Sequence, residues 1–143
     1  LKQLVSQEGA EVVLISAAIE AQIAELESEE DRIEFLKEYG LTESGLNKLI
    51  RASYSLLNLI TYFTAGVQEV RAWTIKKGMT APQASGVIHS DLERGFIRAE
   101  VMKYKDFVQL KSEAACKEAG KFYLEGKNYI VEDGDILHIR FNV

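Results

Sequence analysis

The hydrophobic pattern of this chain changes near residue 60, and that change constrains the fold more than any other feature. Before it, apolar residues recur every three or four positions, which is typical of amphipathic helices. After it, short segments rich in β-branched and aromatic residues alternate with turn-forming residues, which is typical of strands. The pattern therefore predicts two domains, at residues 1–59 and 60–143.

The first domain is predicted to contain a strand followed by three helices. Residues 11–15 form a short apolar run of the kind found in buried strands. Ser16, Ser28 and Thr42 stand where the helices need N-caps, because a side-chain hydroxyl accepts hydrogen bonds from the first free amides of a helix. Since a strand edge without neighbours recruits other chains, self-association through residues 11–15 is also predicted.

The second domain is predicted to be a small mixed sheet that packs on a helix. The helix should begin at Thr80 and end near Gly95, with Gly86 as a point where it could break. The other elements follow from alternation and turn residues: a hairpin from 61–64 and 69–75, strands over 97–102 and 137–143, a short helix over 112–119, and a hairpin around Gly126-Lys127. This order indicates an α+β fold of the β-grasp, or ubiquitin-like, class.

Charge separates the two domains. Residues 1–59 carry 5 Lys and Arg against 11 Asp and Glu, so their net charge is 5 − 11 = −6, whereas residues 60–143 carry 12 against 11, a net charge of +1. Phosphate binding needs cations, so contact with nucleic acid is expected only in the second domain. The candidates for a basic patch are Lys76, Lys77, Arg94, Arg98, Lys103 and Lys105. The alternative is that these are solvated cations balanced by neighbouring acids.

The sequence predicts neither a catalytic group nor a metal site. His89 and Asp91 form an H-x-D pair, but no third ligand is placed to complete a site. The phosphate-binding string G-x-x-x-x-G-K-[ST] is absent, since Gly126-Lys127 is followed by Asn128. No run of about 18 apolar residues is present, so no membrane span is expected.

Long stretches of the chain resemble the YchF/Obg-like ATPase family. The segment TYFTAGVQEVRAWTIKKGMTAPQASGVIHSDLERGFIRAEVMKYKDF resembles the TGS domain that ends such proteins, and GKNYIVEDGDILHIRFNV resembles their C-terminus. The upstream strings ISAAIEAQIAEL and LTESGLNKLIRASYSLL fit the same family. The resemblance therefore covers nearly the whole chain.

The resemblance implies that residues 60–143 are a TGS domain and that residues 1–59 are the C-terminal remnant of a P-loop nucleotide-binding domain. Ser16, Ala17 and Ala18 would then lie in the loop that approaches the nucleotide base. ATP or GTP and Mg²⁺ are implied for the full-length family, whereas these 143 residues alone should bind no cofactor and hydrolyse no nucleotide.

The resemblance also implies a cytoplasmic protein that contacts its own nucleotide domain and the ribosome or ribosomal RNA. The chain is accordingly expected to be an interaction and regulatory module. The alternative is a free-standing β-grasp domain that binds proteins and not RNA.

Overall fold

The computed structural model describes residue 5 and residues 12–66 and 69–142. The chain divides into two units, residues 1–57 and 58–143, so the division lies two residues before the position where the sequence pattern changes. Each unit has its own internal organisation.

Three helices make up the described part of the first unit, and a serine caps each of them. They are α1 (Ala17–Glu25), α2 (Glu29–Glu38) and α3 (Gly45–Leu56). The predicted caps Ser16 and Ser28 are confirmed, because their Oγ atoms accept from the amides three residues later.

The predicted cap of the third helix, Thr42, is wrong. Ser44 takes that role, and its Oγ accepts from the amide of Asn47 at 3.1 Å. The start of α3 is fixed there because the carboxylate of Glu20, on α1, accepts from the amides of Gly45 at 2.6 Å and Leu46 at 3.2 Å. A carboxylate in that position satisfies free amides and opposes the helix dipole.

The strand predicted at 11–15 is also wrong for the residues that the structure describes. Residues 12–15 have no strand conformation, and the side chain of Leu14 is 74% exposed. A strand exists only through a ladder with a neighbour, and the described strands all lie between residues 59 and 141. Residue 11 lies outside the described residues.

The second unit is an α+β unit built on one five-stranded sheet. Its elements are β1 (Leu59–Ala65), β2 (Val70–Lys76), α4 (Ala81–Ile88), α5 (Ser90–Arg94), β3 (Phe96–Lys103), α6 (Tyr104–Leu110), α7 (Glu113–Glu118), β4 (Tyr123–Glu125) and β5 (Asp135–Phe141). The strands lie in the order β2-β1-β5-β3-β4. Only β1 and β5 run parallel to each other; the remaining pairs are antiparallel.

The sheet has an apolar cluster on each face. Consecutive residues of β1, Tyr62 and Phe63, belong to different clusters, as do Leu137 and Ile136 of β5. Because successive side chains of a strand point to opposite faces, the two clusters lie on opposite sides of the sheet. The larger cluster includes Ala81 and Ala84 of α4, and the smaller one includes residues of α6 and α7.

The predicted hairpin of 61–64 with 69–75 is confirmed, but the one around Gly126 is wrong. Residues 123–125 pair with β3, and Ile130 forms an isolated bridge with Thr80 instead of returning along β4. A type II′ turn needs positive φ at its glycine, and Gly126 does not have it. The segment after Gly126 is therefore free to cross to the start of α4.

The predicted helix over 80–95 is divided at His89, not at Gly86. His89 has extended backbone, and its Nδ1 accepts from the amide of Asp91, which caps α5. Gly86 lies inside α4, where a β-carbon would collide with the side chain of Glu93. The glycine therefore permits a close approach between α4 and α5.

A buried carboxylate, that of Asp135, joins the start of β5 to β3 and to the loop before β5. Asp135 is fully buried, and its Oδ1 accepts from Nζ of Lys103 at 2.6 Å. Its Oδ2 accepts from the hydroxyl of Tyr129 at 2.7 Å and from the amide of Glu132 at 2.9 Å. Burial alone would lower the pKa of Lys103, but its hydrogen bonds with Asp135, Glu132 and Tyr129 outweigh that effect and raise the pKa above its usual value.

We expect Lys103→Met to lower the free energy of unfolding of the second unit by about 3 kcal/mol, because it leaves a buried carboxylate without its cation. Lys105→Met is the matched control. Lys105 is exposed and has no ion pair among the described residues, so its loss should change stability by less than about 0.5 kcal/mol. The unfolding free energies of both variants can be measured in urea from the fluorescence of Trp73, which is the single tryptophan and lies in the second unit. Equal midpoints for the two variants would contradict the expectation.

Candidate nucleic-acid interface

The six basic residues singled out in the sequence do not form one patch. Because β2 and β3 both run opposite to β1 and β5, the last residues of β2 and β3 lie at the same end of the sheet. That end, called the lysine end below, carries Lys76, Lys77, Lys103 and Lys105. Arg94 and Arg98 lie at the opposite end, where β3 begins.

Two of the six are engaged in ion pairs within the unit. Lys103 binds Asp135 and also Glu132, whose carboxylate is 2.9 Å from Nζ. Arg94 pairs with Asp91. The exposed residues Lys76, Lys77, Arg98 and Lys105 have no ion pair or hydrogen bond through their side chains within the described ranges. Of the six, these four are therefore available to a phosphate.

A charged row that the sequence did not reveal lies beside Arg98, on the sheet face that carries the smaller apolar cluster. The register of β3 and β5 places Arg98 opposite Arg140 and Glu100 opposite His138, and we call these four residues the arginine row. Arg140 donates to both oxygens of Glu100, at 3.1 and 3.2 Å, and Nδ1 of His138 lies 3.6 Å from the same carboxylate. Alternation alone predicts polar positions at 138 and 140, but only the strand order shows that they adjoin β3.

The carboxyl group of Glu100 is held in its charged form by this row. Its partial burial favours the neutral form, but the hydrogen bond and charge of Arg140, with smaller effects from His138 and Lys117, leave its pKa below the ordinary value. Glu100 is the least exposed member, since its side chain is 12% exposed against about half for His138 and Arg140. The row thus consists of one sheltered anion among accessible cations.

Ser16, Ala17 and Ala18 lie at the start of α1, in the first unit. Ser16 caps the helix, and Ala17 and Ala18 are its first residues. A pocket of about 240 Å³ beside Ser16 is lined by two carboxylates, Glu20 and Glu43, and one ammonium group, Lys48. Two carboxylates beside one ammonium group do not suit the phosphates of a nucleotide. The contact of Ser16, Ala17 and Ala18 with a nucleotide base is not tested by this pocket and stays a prediction.

Within residues 12–66 and 69–142, no group of three or more His, Cys, Asp or Glu side chains is arranged to hold a metal ion. His89 and Asp91 instead serve α5, as cap and as partner of Arg94. No described helix has the length and apolar character to cross a membrane.

The chain matches the model of one protein family and is similar to several curated proteins. Residues 59–142 match the family YchF-GTPase_C, described as "Protein of unknown function (DUF933)". The whole chain is 64% identical to "Ribosome-binding ATPase YchF" of Haemophilus ducreyi and 62% identical to the protein of the same name from Pasteurella multocida. It spans 39% of the length of each of these relatives.

A solved structure agrees with this similarity. It is described as "Structure of the Schizosaccharomyces pombe YchF GTPase", and it is 47% identical with a TM-score of 0.74. The match covers 88% of the present chain and 33% of the solved one. The comparison therefore extends beyond the sheet to much of the remaining chain.

The pH dependence of stability should change when Glu100 is replaced by Gln. Because the folded-state pKa of Glu100 lies below its ordinary value of 4.5, the carboxylate stabilises the fold above that pH, and the contribution is lost as pH falls through the folded-state pKa. Wild type should be more stable than Glu100→Gln at neutral pH, and the difference should shrink below pH 4.5.

Urea midpoints measured across this pH range test the expectation. Glu118→Gln is the control, since Glu118 is exposed and has no ion pair among the described residues. A difference between wild type and Glu100→Gln that stayed constant with pH would contradict the assigned role of the carboxylate.

Proposed function

Because the chain belongs to the YchF-GTPase_C family, we propose that it acts as an interaction module that contacts ribosomal RNA through its second unit. The observation that carries the proposal is that four of the basic residues singled out in the sequence, Lys76, Lys77, Arg98 and Lys105, are exposed and have no internal partner among the described residues. The names of the relatives, which describe them as ribosome-binding, agree with it. Such a role belongs to the cytoplasm.

We assign residues 58–143 to the TGS domains of the β-grasp class. The sheet order β2-β1-β5-β3-β4, with its central parallel pair of β1 and β5, supports this assignment. The position of α4 against one face of the sheet supports it as well, because Tyr62 of β1 donates its hydroxyl to the carbonyl of Ala84 at 2.9 Å.

Nucleotide chemistry is proposed to belong to other parts of the longer relatives, with ATP or GTP and Mg²⁺ as their cofactors. These 143 residues contain no phosphate-binding loop, and a triphosphate needs the backbone amides, lysine and hydroxyl that such a loop supplies. The first unit, as the remnant of a nucleotide domain, would then connect along the sequence the catalytic part of the longer protein with the second unit, which contacts RNA. Its α3 exposes apolar side chains at Leu49 and Leu56, which suits contact with that domain.

Binding of the 143-residue chain to purified ribosomal RNA should depend strongly on salt. Four phosphate contacts release enough counterions to give a slope of about −3 in a plot of log affinity against log salt concentration. We expect affinity to fall roughly 50-fold between about 50 and 200 mM potassium chloride, measured by fluorescence anisotropy of labelled RNA.

A flat response to salt, or no binding at the lowest salt concentration, would contradict RNA contact and favour a module that binds proteins. Lys37→Ala serves as the matched control. Lys37 lies on α2 in the acidic first unit, so its removal should leave both affinity and slope unchanged.

A further inference from the structure

The arginine row combines features that a folded sheet does not need. Arg98 and Arg140 are directly opposite each other on neighbouring strands. Like charges in that position are destabilising, and the side chains stand only about 5 Å apart at their β-carbons. Arg140 turns diagonally to Glu100, whereas Arg98 has no counter-charge among the described residues. One unneutralised guanidinium therefore remains beside a second one.

Among the described residues, Arg98, His138 and Arg140 are exposed, so a ligand can reach the row from that side of the sheet. Further along the same face, Met102 and Ile136 are covered by the cluster that includes Cys116 of α7, but Arg98 and Arg140 lie beyond it and are exposed. The positive charge of Lys117, on α7, contributes a small part of the lowering of the pKa of Glu100.

The net charge of the row is positive. With His138 neutral, two guanidinium groups face one carboxylate, a balance of 2 − 1 = +1. Lys117 is offset by Glu113, at 2.6 Å. A guanidinium binds a phosphate through two parallel hydrogen bonds, so neighbouring arginines can hold one phosphate or two successive ones.

We propose that Arg98 and Arg140 bind phosphate groups of an RNA backbone, and that Glu100 is an internal anion that orients Arg140 and competes with the incoming phosphate. This inference rests on the proposed contact with ribosomal RNA and names one part of the second unit that makes it. No aromatic side chain belongs to the row, so recognition is independent of sequence, because base stacking is what aromatic groups would add.

The competition follows from geometry. Nε and Nη2 of Arg140 each donate to Glu100, so three of the five N–H groups of this guanidinium remain for a phosphate. A phosphate at Arg140 is therefore repelled by the adjacent carboxylate unless it displaces it, whereas at Arg98 no internal partner among the described residues competes. A phosphate is therefore expected to bind first at Arg98, and Glu100 determines how tightly a phosphate binds at Arg140.

The test uses the 143-residue chain and a fluorescein-labelled oligouridylate, titrated at several salt concentrations. Arg98→Ala should weaken binding about tenfold and reduce the magnitude of the salt slope by about 0.7, as expected for the loss of one phosphate contact on a single strand. Lys37→Ala removes an exposed cation of α2 in the acidic first unit, and should change affinity less than twofold. Glu100→Gln should bind several-fold more tightly than wild type, since the competing charge is gone.

Two results would overturn the site. One is that Arg98→Ala binds as wild type does, and the other is that Lys37→Ala loses as much affinity as Arg98→Ala. Tighter binding by Glu100→Gln would support the competition, because a carboxylate that only stabilised the fold would not raise affinity when it is removed. Arg140→Lys, which keeps the charge but removes the fork, should weaken binding without unfolding the unit, as checked by Trp73 fluorescence.

The outcomes separate this inference from the wider proposal. If wild type binds ribosomal RNA but Arg98→Ala does too, the contact lies elsewhere on the unit and only the site is rejected. If wild type binds neither ribosomal RNA nor oligouridylate, both are rejected. Binding of poly-glutamate that Arg98→Ala abolishes, with oligouridylate unaffected, would reassign the row to an acidic protein partner.

Discussion

The second unit depends on one buried carboxylate, Asp135. It accepts three hydrogen bonds, from Lys103, Tyr129 and the amide of Glu132, and each comes from a different point of the chain. Taking such a charge out of water costs several kcal/mol, and the partners compensate for that cost only when all are in place. The interaction therefore contributes less to net stability than the loss of a single partner would cost. It nevertheless fixes where the last strand begins.

The neighbouring loop carries that constraint into the rest of the unit. Asp133 accepts from the amide of Thr61 in β1, and the amide of Gly134 donates to the carbonyl of Thr61. The amide of Ala81 at the start of α4 donates to the carbonyl of Tyr129. Because β5 is aligned in this way beside β1 and β3, His138 and Arg140 come to lie next to Glu100 and Arg98. The same constraint occupies Lys103, and so removes one of the basic residues that the sequence offers for RNA.

Much of the second unit could be predicted from the sequence, because its signals are local. Alternation at Leu137 and Ile139 gives β5, and Thr80 with Pro82 gives the start of α4. The errors arise where tertiary contacts override such signals. The apolar run at 12–15 has the composition of a strand but no ladder partner among the described residues, and Gly126 looks like a hairpin turn although the chain after it is held by α4.

The candidate site was harder to predict for the same reason. A count of lysines and arginines cannot distinguish Lys103, which binds a buried aspartate, from Lys105, which has no such partner. Nor can it place Arg140 beside Arg98, since these residues are 42 positions apart in sequence, 140 − 98, and meet only through the pairing of β3 with β5. Long-range strand pairing is the information that one sequence does not supply.

The most direct test of the account is a map of backbone amide chemical shifts in the 143-residue chain as oligouridylate is added. If the arginine row binds the RNA backbone, the shifts should change most at residues 97–101 and 138–141, and should leave α2 unchanged. Changes that instead cluster at Lys76, Lys77 and Lys105, or that are spread evenly over the chain, would contradict it.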